Sequence, residues 1–416
     1  MTAIDNLTRF QAWKTCKLGD CVNFLSGGTP SKKNPEYWDG DIPWVSCKDM
    51  KTAYLSDSQD HITEAGAANG TRLVSPGTIL IVVRGMILAQ HFPVAIAKRK
   101  MAFNQDLKAL QCTPNVDPKF LFHWLQGKSY EILGIADEAA HGTKRLQTDR
   151  LQNFPLHLPP LPLQRKIAAI LSAYDDLIEN NRRRIEILEE MARSLYREWF
   201  VNFRSETEKV ENRTLNDICE FIVDCEHKTA PTQATGYPSI RTPNIGRGRL
   251  LLDKVNRVSE ETYKAWTKRA IPQEGDLILA REAPVGNVAI ISKNLKVCLG
   301  QRTVLIRPDI SKVKPYYLLY LLLTDEVQHK LLSFSNGATV HHLNMKDIRN
   351  LELPELHILP IQQKINTILA NYYGLIFNLT RKIENLRQTR DLLLPKLISG
   401  EIDVENLDIN TGEIAA

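Results

Sequence analysis

The chain has 416 residues, enough for two or three domains with substantial cores. Its 53 Lys and Arg against 48 Asp and Glu give a formal net charge of +5, which permits a polyanionic partner without demanding one. No apolar run approaches the ~18 residues of a membrane span, and the amino terminus lacks the apolar segment of a secretory signal, so we expect a cytoplasmic protein. The seven cysteines include no CxxC pair, which favours reduced thiols over a structural zinc site.

Residues 1–155 have the pattern of a mixed α/β domain. The apolar run GTILIVVRG at 77–85 is typical of a buried strand, and the turn-rich segment SGGTPSKKNP precedes it at 26–35. The segment PKFLFHWLQGKS, which begins at Pro118, has the composition of a short helix. We therefore expect one folded domain of strands and short helices in this block.

Residues 156–205 predict a long helix. Pro159, Pro160 and Pro162 end any earlier element and suit a helix start. Beyond them the apolar positions alternate in steps of four and three, which is the a/d pattern of a coiled-coil seam. Because a helix rises 1.5 Å per residue, we expect a length of about 50 Å. The seam positions are Ile167, Leu171, Tyr174, Ile178, Asn181, Ile185, Leu188, Ala192, Leu195 and Trp199.

Residues 206–355 and 356–404 repeat this plan, and residues 405–416 form a short tail. The second domain block carries the strand-like runs VAIISK at 288–293 and RTVLIRP at 302–308. Its helical segment PYYLLYLLLTDEV stands where the first block has PKFLFHWLQGKS. The seam positions of the second helix are Ile365, Leu369, Tyr372, Ile376, Leu379, Ile383 and Leu386.

The two helical blocks are copies of one sequence. Pro162–Leu188 and Pro360–Leu386 are identical at 14 of 27 positions, with every pair 198 residues apart. The preceding domains agree at scattered points, for example Gln105 with Gln301, so the repeat indicates an internal duplication. Two similar seams favour mutual pairing of the helices over packing of each on its own domain alone, and a pseudo-two-fold relation would make the pair antiparallel. Asn181, the polar seam residue, is either a register lock or a solvated end position.

The sequence lacks the motifs of nucleotide-dependent and methyl-donor enzymes. No GxxxxGK[ST] loop occurs, which argues against ATP hydrolysis. NPEY at 34–37 differs from the NPPY element of adenine methyltransferases, and no glycine-rich strand-turn precedes it to hold S-adenosylmethionine. DLK at 106–108 and EHK at 226–228 match only the tail of a metal-nuclease motif, a pattern short enough to arise by chance. We therefore predict no catalytic, cofactor or metal site.

Two diverged domains, each followed by a similar long helix, resemble the specificity subunit of Type I restriction-modification enzymes. The helix opening LPPLPLQRKIAAIL at 158–171, the segment LYREWFVNF at 195–203 and LLLPKLISGEI at 392–402 are similar to segments of that family. Leu163 and Gln363 depart from it, since they stand near positions where the family often has glutamate. The resemblance covers nearly the whole chain and is most specific in the helices.

The resemblance implies an α+β fold in which two mixed α/β target-recognition domains are separated by two long helices, pairing as an antiparallel coiled coil with a pseudo-two-fold internal duplication. Each domain would read one half of an asymmetric bipartite site in double-stranded DNA. A coiled coil of about 50 Å can hold half-sites that lie one helical turn of DNA apart, ~34–36 Å. The implied partners are two methyltransferase and two restriction subunits, which would carry S-adenosylmethionine, ATP and Mg²⁺. The chain itself would be non-catalytic, without a cofactor and without a membrane partner.

Polar residues in turns are the expected readers of DNA, since Arg suits guanine and Asn or Gln suits adenine. Phosphate contacts, which carry no sequence information, are expected among them. In the first domain the candidates are Lys32, Lys33, Lys48, Arg84, Lys144 and Arg145. In the second domain they are Arg241, Asn244, Arg281, His341 and His342.

Two other functions stay open on the sequence alone. One is a self-sufficient DNA methyltransferase or nuclease with duplicated domains, which would modify or cut DNA by itself. The other is a coiled-coil scaffold that binds protein, which would ignore DNA even beside a methyltransferase.

Overall fold

A computed structural model gives the fold of the chain. The residues that it describes are 13–138, 142–199, 209–210, 213–334 and 342–411. Internal contacts divide the chain into two compact units, one of Met1–Asn181 with Lys382–Ala416 and one of Arg182–Arg381. Each unit therefore contains one domain, the adjoining half of one long helix and the far half of the other. Within the described ranges, no helix is both long enough and apolar enough to cross a bilayer.

The first unit begins with a domain of short strands and helices. Its strands are β1 (Lys14–Lys17), β2 (Val22–Ser26), β3 (Trp38–Val45), β4 (Tyr54–Leu55), β5 (Asp60–Ile62), β6 (Leu73–Val74), β7 (Ile79–Val82), β8 (Arg84–Gly85), β9 (Val94–Ala97), β10 (Met101–Phe103), β11 (Leu107–Cys112), β12 (Asp137–Glu138), β13 (Lys144–Arg145) and β14 (Pro155–Leu158). Its helices are α1 (Leu18–Cys21), α2 (Glu64–Ala68), α3 (Pro118–Gly127), α4 (Ser129–Gly134) and α5 (Thr148–Gln152), followed by α6 (Leu161–Arg197).

A five-stranded sheet in the order β2–β11–β7–β9–β4 is the centre of this domain. Its neighbours are antiparallel except for β9 and β4, which are parallel. All four residues of β7 are buried, which explains its unbroken apolar run, and α3 contributes Phe120, Leu121 and Trp124 to the same core. A second sheet has the order β5–β3–β10–β6, and β12–β13–β8 form a small third one. The strand predicted at 77–85 and the helix predicted from Pro118 are confirmed.

The second unit contains the second domain and the start of the last long helix. Its strands are β15 (Lys209–Val210), β16 (Cys219–Asp224), β17 (Tyr237–Ile240), β18 (Gly248–Arg249), β19 (Arg257–Val258), β20 (Leu277–Ala280), β21 (Val288–Ile290), β22 (Cys298–Leu299), β23 (Thr303–Pro308) and β24 (Leu356–His357). Its helices are α7 (Glu260–Trp266), α8 (Pro315–Leu322), α9 (Asp325–Ser333) and α10 (Met345–Arg349), followed by α11 (Leu359–Ile398).

The second domain repeats the strand order of the first. Its five-stranded sheet runs β16–β23–β20–β21–β18, and again only the last pair is parallel. The sheet β19–β17–β22 repeats β5–β3–β10, with one parallel and one antiparallel pair in each. The internal duplication predicted from the helices is therefore confirmed in the domains, where little sequence identity remains.

The long helices α6 and α11 contain 37 and 40 residues, so their lengths are about 55 and about 60 Å. In the first unit, Asp175 early in α6 forms an ion pair with Arg390 late in α11. In the second unit, Ala192 late in α6 shares a core with Leu369 early in α11. Each unit thus pairs the beginning of one helix with the end of the other, which confirms the antiparallel coiled coil. Asn181 is buried in the interior of α6 and is not a solvated helix end.

The glutamine repeated at the start of both helices fastens each helix to its domain. Gln164 accepts a hydrogen bond from the Asp117 N–H at 2.9 Å and donates to Asn115 O at 3.0 Å and Pro159 O at 2.8 Å. Gln362 accepts from the Lys314 N–H at 3.0 Å and donates to a backbone carbonyl of β24 at 2.7 Å. Asp117 and Lys314 are the N-caps of α3 and α8. The glutamine of the Pro-x-Gln motif therefore has the same structural role in both copies: it hydrogen-bonds the start of the long helix to the domain before it.

Replacing this glutamine should loosen one unit. We expect Gln164→Leu to destabilise the protein by about 3 kcal/mol, because it leaves a buried N–H and two carbonyl oxygens without partners. Denaturant unfolding of the full chain measures the effect. Gln363→Leu is the matched control: that side chain is exposed and donates to Thr367 of its own helix at 3.3 Å, so we expect a change within about 0.5 kcal/mol. Equal effects of the two substitutions would contradict the proposed role of Gln164 in attaching the helix to the domain.

Candidate nucleic-acid interface

Two short strands bring cations into direct opposition in the first domain. In the antiparallel pair of β8 and β13, Arg84 lies opposite Arg145, and Gly85 lies opposite Lys144. Like charges directly opposite each other in a sheet destabilise it. Burial, and then the positive charge of Arg145, also lower the pKa of Lys108 on β11 of the five-stranded sheet. On its other side β13 pairs with β12, where Asp137 lies opposite Arg145 and Glu138 lies opposite Lys144. The cations of this surface therefore have carboxylates beside them.

Arg84 is oriented by a carboxylate on the turn between β10 and β11. Its Nε donates to Asp106 Oδ1 at 2.6 Å, while 48% of the side chain stays exposed. The Asp106 N–H in turn donates to Asn104 Oδ1 at 3.1 Å, which fixes that turn. The guanidinium is thus held in one direction with part of its donor edge open to solvent.

Lys48 lies on the turn that follows β3, next to this pair of strands. The Ser46 N–H and hydroxyl both donate to Asp49 Oδ2, at 2.8 and 2.9 Å, and close the turn. The Cys47 thiol donates to the backbone oxygen of Arg84 at 3.7 Å. Lys48 is exposed, so the turn adds a further cation beside β8.

Lys32 and Lys33 are exposed on a loop that is tied to the end of β10. The Gly28 N–H donates to Phe103 O at 3.0 Å. A Cβ on Gly27 would lie 2.2 Å from the same oxygen, so this approach requires glycine. The two glycines therefore hold the lysine loop beside the turn between β10 and β11.

Arg281 in the second domain is buried, unlike its counterpart Arg84. Its Nε donates to Leu343 O at 2.8 Å, and its Nη1 donates to Asp224 Oδ2 at 2.6 Å. Its Nη2 donates to His342 Nε2 at 2.7 Å. Because that nitrogen accepts, the proton of a neutral His342 sits on Nδ1 and is donated to Glu282 Oε1 at 2.6 Å. Arg281 thus fixes the orientation of His342, whose side chain is 36% exposed.

Arg241 and Asn244 lie on the turn after β17, the counterpart of the turn after β3. The Arg241 N–H donates to Asn244 Oδ1 at 3.1 Å, and Asn244 Nδ2 donates to Leu251 O at 3.2 Å. The amide of Asn244 therefore holds the turn, whereas the Arg241 side chain is exposed. His341 lies outside the described residues.

Three further residues belong to these surfaces and were not selected from the sequence. Lys108 donates to Ser26 Oγ at 2.6 Å beside the cations of β8 and β13. Arg302 is 60% exposed and lies 3.0 Å from Glu282 Oε2. Met86, directly after β8, is 69% exposed. Arg302 directly follows Gln301, which the repeat matches with Gln105. This position in the repeat could have identified Arg302 from the sequence.

Asp224, Cys225 and His227 have ligand atoms within 4.8 Å of one another. The carboxylate is already engaged, because Asp224 Oδ2 lies 2.6 Å from Arg281 Nη1 and 3.1 Å from His227 Nε2. Burial raises the pKa of the Cys225 thiol, which disfavours the thiolate that a metal binds. This group is better described as part of the hydrogen-bond network around Arg281 than as a metal centre.

Comparison with known proteins identifies relatives across the chain. The family model described as Type I restriction modification DNA specificity domain matches residues 11–190 and again 207–388. The specificity subunit of the Type I restriction enzyme MjaIX of Methanocaldococcus jannaschii is 29% identical, over 95% of this chain and 94% of that protein. The EcoR124I/EcoR124II specificity subunit of Escherichia coli is 35% identical, over 40% of this chain and 41% of that protein. The crystal structure of an S subunit from M. genitalium shares the fold, with a TM-score of 0.58 at 15% identity over 92% of this chain and 96% of that one.

Proposed function

Because the chain belongs to the family of Type I restriction modification DNA specificity domains, we propose that it is the non-catalytic DNA-specificity subunit of a Type I restriction-modification complex. Residues 1–155 and 206–355 each read one half of an asymmetric, bipartite site in double-stranded DNA. The helical segments 156–205 and 356–404 set the spacing of the two halves, and 405–416 are a tail.

The observation that carries this proposal is the direct opposition of Arg84 and Arg145 with Lys144 beside them. Carboxylates of the domain offset part of this charge, Asp106 beside Arg84 and Asp137 and Glu138 opposite Arg145 and Lys144 on β12. The phosphate backbone of DNA supplies further anions in a row for the exposed cations. In the first domain we assign the DNA contacts to these three residues and to the exposed lysines, Lys32, Lys33 and Lys48.

In the second domain the proposed contacts are Arg241 and His342, whose side chains reach solvent. We assign Arg281 and Asn244 to positioning, because the guanidinium orients His342 and the amide holds the turn of Arg241. His341 is proposed as a contact from its sequence position alone.

The partners in this proposal are methyltransferase subunits and restriction subunits, two of each, in the cytoplasm. S-adenosylmethionine, ATP and Mg²⁺ belong to those subunits. The support from this chain is chemical: its sequence has no phosphate-binding GxxxxGK[ST] loop.

Activity should depend on the partner. The purified chain, given DNA and S-adenosylmethionine, should transfer no methyl group and cut no DNA, and adenine methylation should begin when a cognate methyltransferase subunit is added. Radiolabelled methyl transfer measures this, with the methyltransferase alone as the control. Methylation or cleavage by the chain alone would support a self-sufficient enzyme, and indifference to DNA beside the methyltransferase would support a scaffold.

The opposed cations should contribute to DNA affinity through phosphates. We expect Lys144→Ala with Arg145→Ala to weaken binding at least about tenfold and to lower the slope of log K against log salt by about 2. A fluorescence titration at several salt concentrations measures both quantities. Lys128→Ala is the control, because that lysine is partly exposed and paired with Glu131 on the following helix. An unchanged slope would exclude phosphate contacts at β13.

A further inference from the structure

The internal duplication creates a pairing problem for the helices. The early half of α6 and the early half of α11 are similar in sequence, since most of the match between Pro162–Leu188 and Pro360–Leu386 lies there, so each late half is offered two similar partners. In the first unit the early half of α6 pairs with the late half of α11. A second copy of the chain offers the late half of α6, with the same seam spacing, as an alternative partner. The apolar seam alone therefore does not select the correct half.

The first unit places a buried carboxylate at this helix pair. The Asp175 side chain is 4% exposed, and its Oδ1 accepts from Arg390 Nη1 at 2.5 Å. His123 on α3 is fully buried, with its Nδ1 3.8 Å from Asp175 Oδ2. Burial, and then the positive charge of Arg390, lower the pKa of His123 to about 3, so the ring is neutral. Burial raises the pKa of Asp175 and Arg390 opposes that shift, so Arg390 is the cation that stabilises this carboxylate.

The second unit has no charge at the equivalent positions. At the offset of 198, Asp175 corresponds to Tyr373 and Arg390 corresponds to Ala192. Tyr373 is buried, and its hydroxyl lies 3.3 Å from that of Tyr320 on α8. Ala192 is fully buried and belongs to the same apolar core as these two rings. The two units are therefore copies in fold and in the glutamine contact at the helix start, but they differ in the contacts at these positions.

The second unit instead has an ion pair of opposite polarity. Arg249 Nε on β18 lies 2.5 Å from Glu189 Oε1 on the late half of α6, and the two side chains are 27% and 21% exposed. The residue of α11 that corresponds to Glu189 is Arg387, one turn from Arg390. The first unit thus presents an anion to an arginine of the late half of α11, and the second presents a cation to a glutamate of the late half of α6.

We propose that the pairs Asp175–Arg390 and Arg249–Glu189 are a pairing code, which directs each late helix half to its own unit and excludes a second copy of this chain. If the late half of α6 entered the first unit of another copy, Asp175 would face Ala192 with Glu189 one turn away. If the late half of α11 entered the second unit, its arginines would face Arg249. The first exchange leaves the buried carboxylate of Asp175 without its partner, which is far more costly than losing an exposed ion pair. The second exchange brings like charges together at a partly buried site.

The pairing code affects the symmetry of the DNA site that the protein recognises. This consequence rests on the proposed function: a correctly paired chain presents one copy of each domain, which suits an asymmetric site. A dimer with exchanged helix halves would bring two copies of the same domain to one helix pair. Excluding that dimer preserves the asymmetry of the recognised site.

Charge reversal in the full chain tests the code. Glu189→Arg with Arg390→Glu exchanges the charges of the two helix ends, and Asp175→Arg with Arg249→Glu exchanges those of their partners. We expect each double variant to associate, with doubled molar mass in light scattering and co-purification of two differently tagged copies refolded together. The quadruple variant restores both pairs with reversed sign and should be monomeric, like the unmodified chain.

The control is Glu260→Lys with Lys264→Glu, which reverses an exposed ion pair on α7 and should leave the chain monomeric. Double variants that stay monomeric, or a quadruple variant that behaves like the doubles, would overturn the proposal.

If a double variant does not fold, Arg387→Glu with Arg390→Ala gives α11 the residues that α6 has at these two positions, and exchange of tags between copies is again expected. Absence of exchange in that variant would also overturn the code. Because these readouts need no DNA or methyltransferase, they are independent of the proposed function.

Discussion

Exchanging residues 206–355 for the second domain of another family member is expected to change one half of the recognised DNA sequence completely and to leave the other half and the spacing unchanged. The reason is that the second domain packs within its own unit, whose core is separate from that of the first domain. Sequencing of methylated adenines in DNA from cells that carry the hybrid and its methyltransferase measures the outcome.

The contacts between domain and helix determine how the hybrid should be made. Gln362 accepts a hydrogen bond from the backbone of Lys314, so any domain with a helix at α8 can supply that contact. The ion pair of Arg249 with Glu189 crosses the junction, so the incoming domain needs a cation at the place of Arg249. The reciprocal control exchanges residues 1–155 and should change only the other half-site. A hybrid in which both halves change would show that the domains read the site jointly.

The helices could be predicted from the sequence because their information is local. A coiled-coil seam can be recognised from the spacing of apolar residues within a single segment of the sequence. Ile167, Leu171 and Ile185 are all buried, as this spacing predicts. The structural role of Gln164 could not be read in the same way. Its three partners include Asn115 and Asp117, which lie nearly fifty residues away and come together only in the folded domain.

The candidate site was predictable only in part, for the same reason. Turn composition selected Arg84 and Arg145, but their opposition depends on the pairing of β8 with β13 across some sixty residues of chain. Arg281 was selected as a polar residue in a turn, yet it contacts Asp224 and Leu343 and is buried in the second domain. Arg84 and Arg281 occupy equivalent positions of the repeat, but Arg84 is exposed and Arg281 is buried.

Lengthening both helices by one heptad should lengthen the spacer of the recognised site. The insertions are placed after Asn181 and after Arg381, which are the borders of the two units. At these places they do not separate a domain from the helix segments that it contacts. Seven residues add about 10 Å of helix and keep the a/d seam in phase. At ~3.4 Å per base pair, the tolerated spacer should grow by up to three base pairs.

Rotation about the duplex axis opposes part of this change, so growth by one or two base pairs fits the same mechanism, whereas the bases read in each half-site should stay the same. Methylation of a library of sites with varied spacers measures both properties in one experiment. Single-residue insertions at the same two positions are the control, since each turns the following seam by about 100° and should destabilise the protein instead of altering its spacer. An unchanged spacer together with altered half-site bases would mean that the helices themselves read DNA, because no residue assigned to DNA contact has been touched.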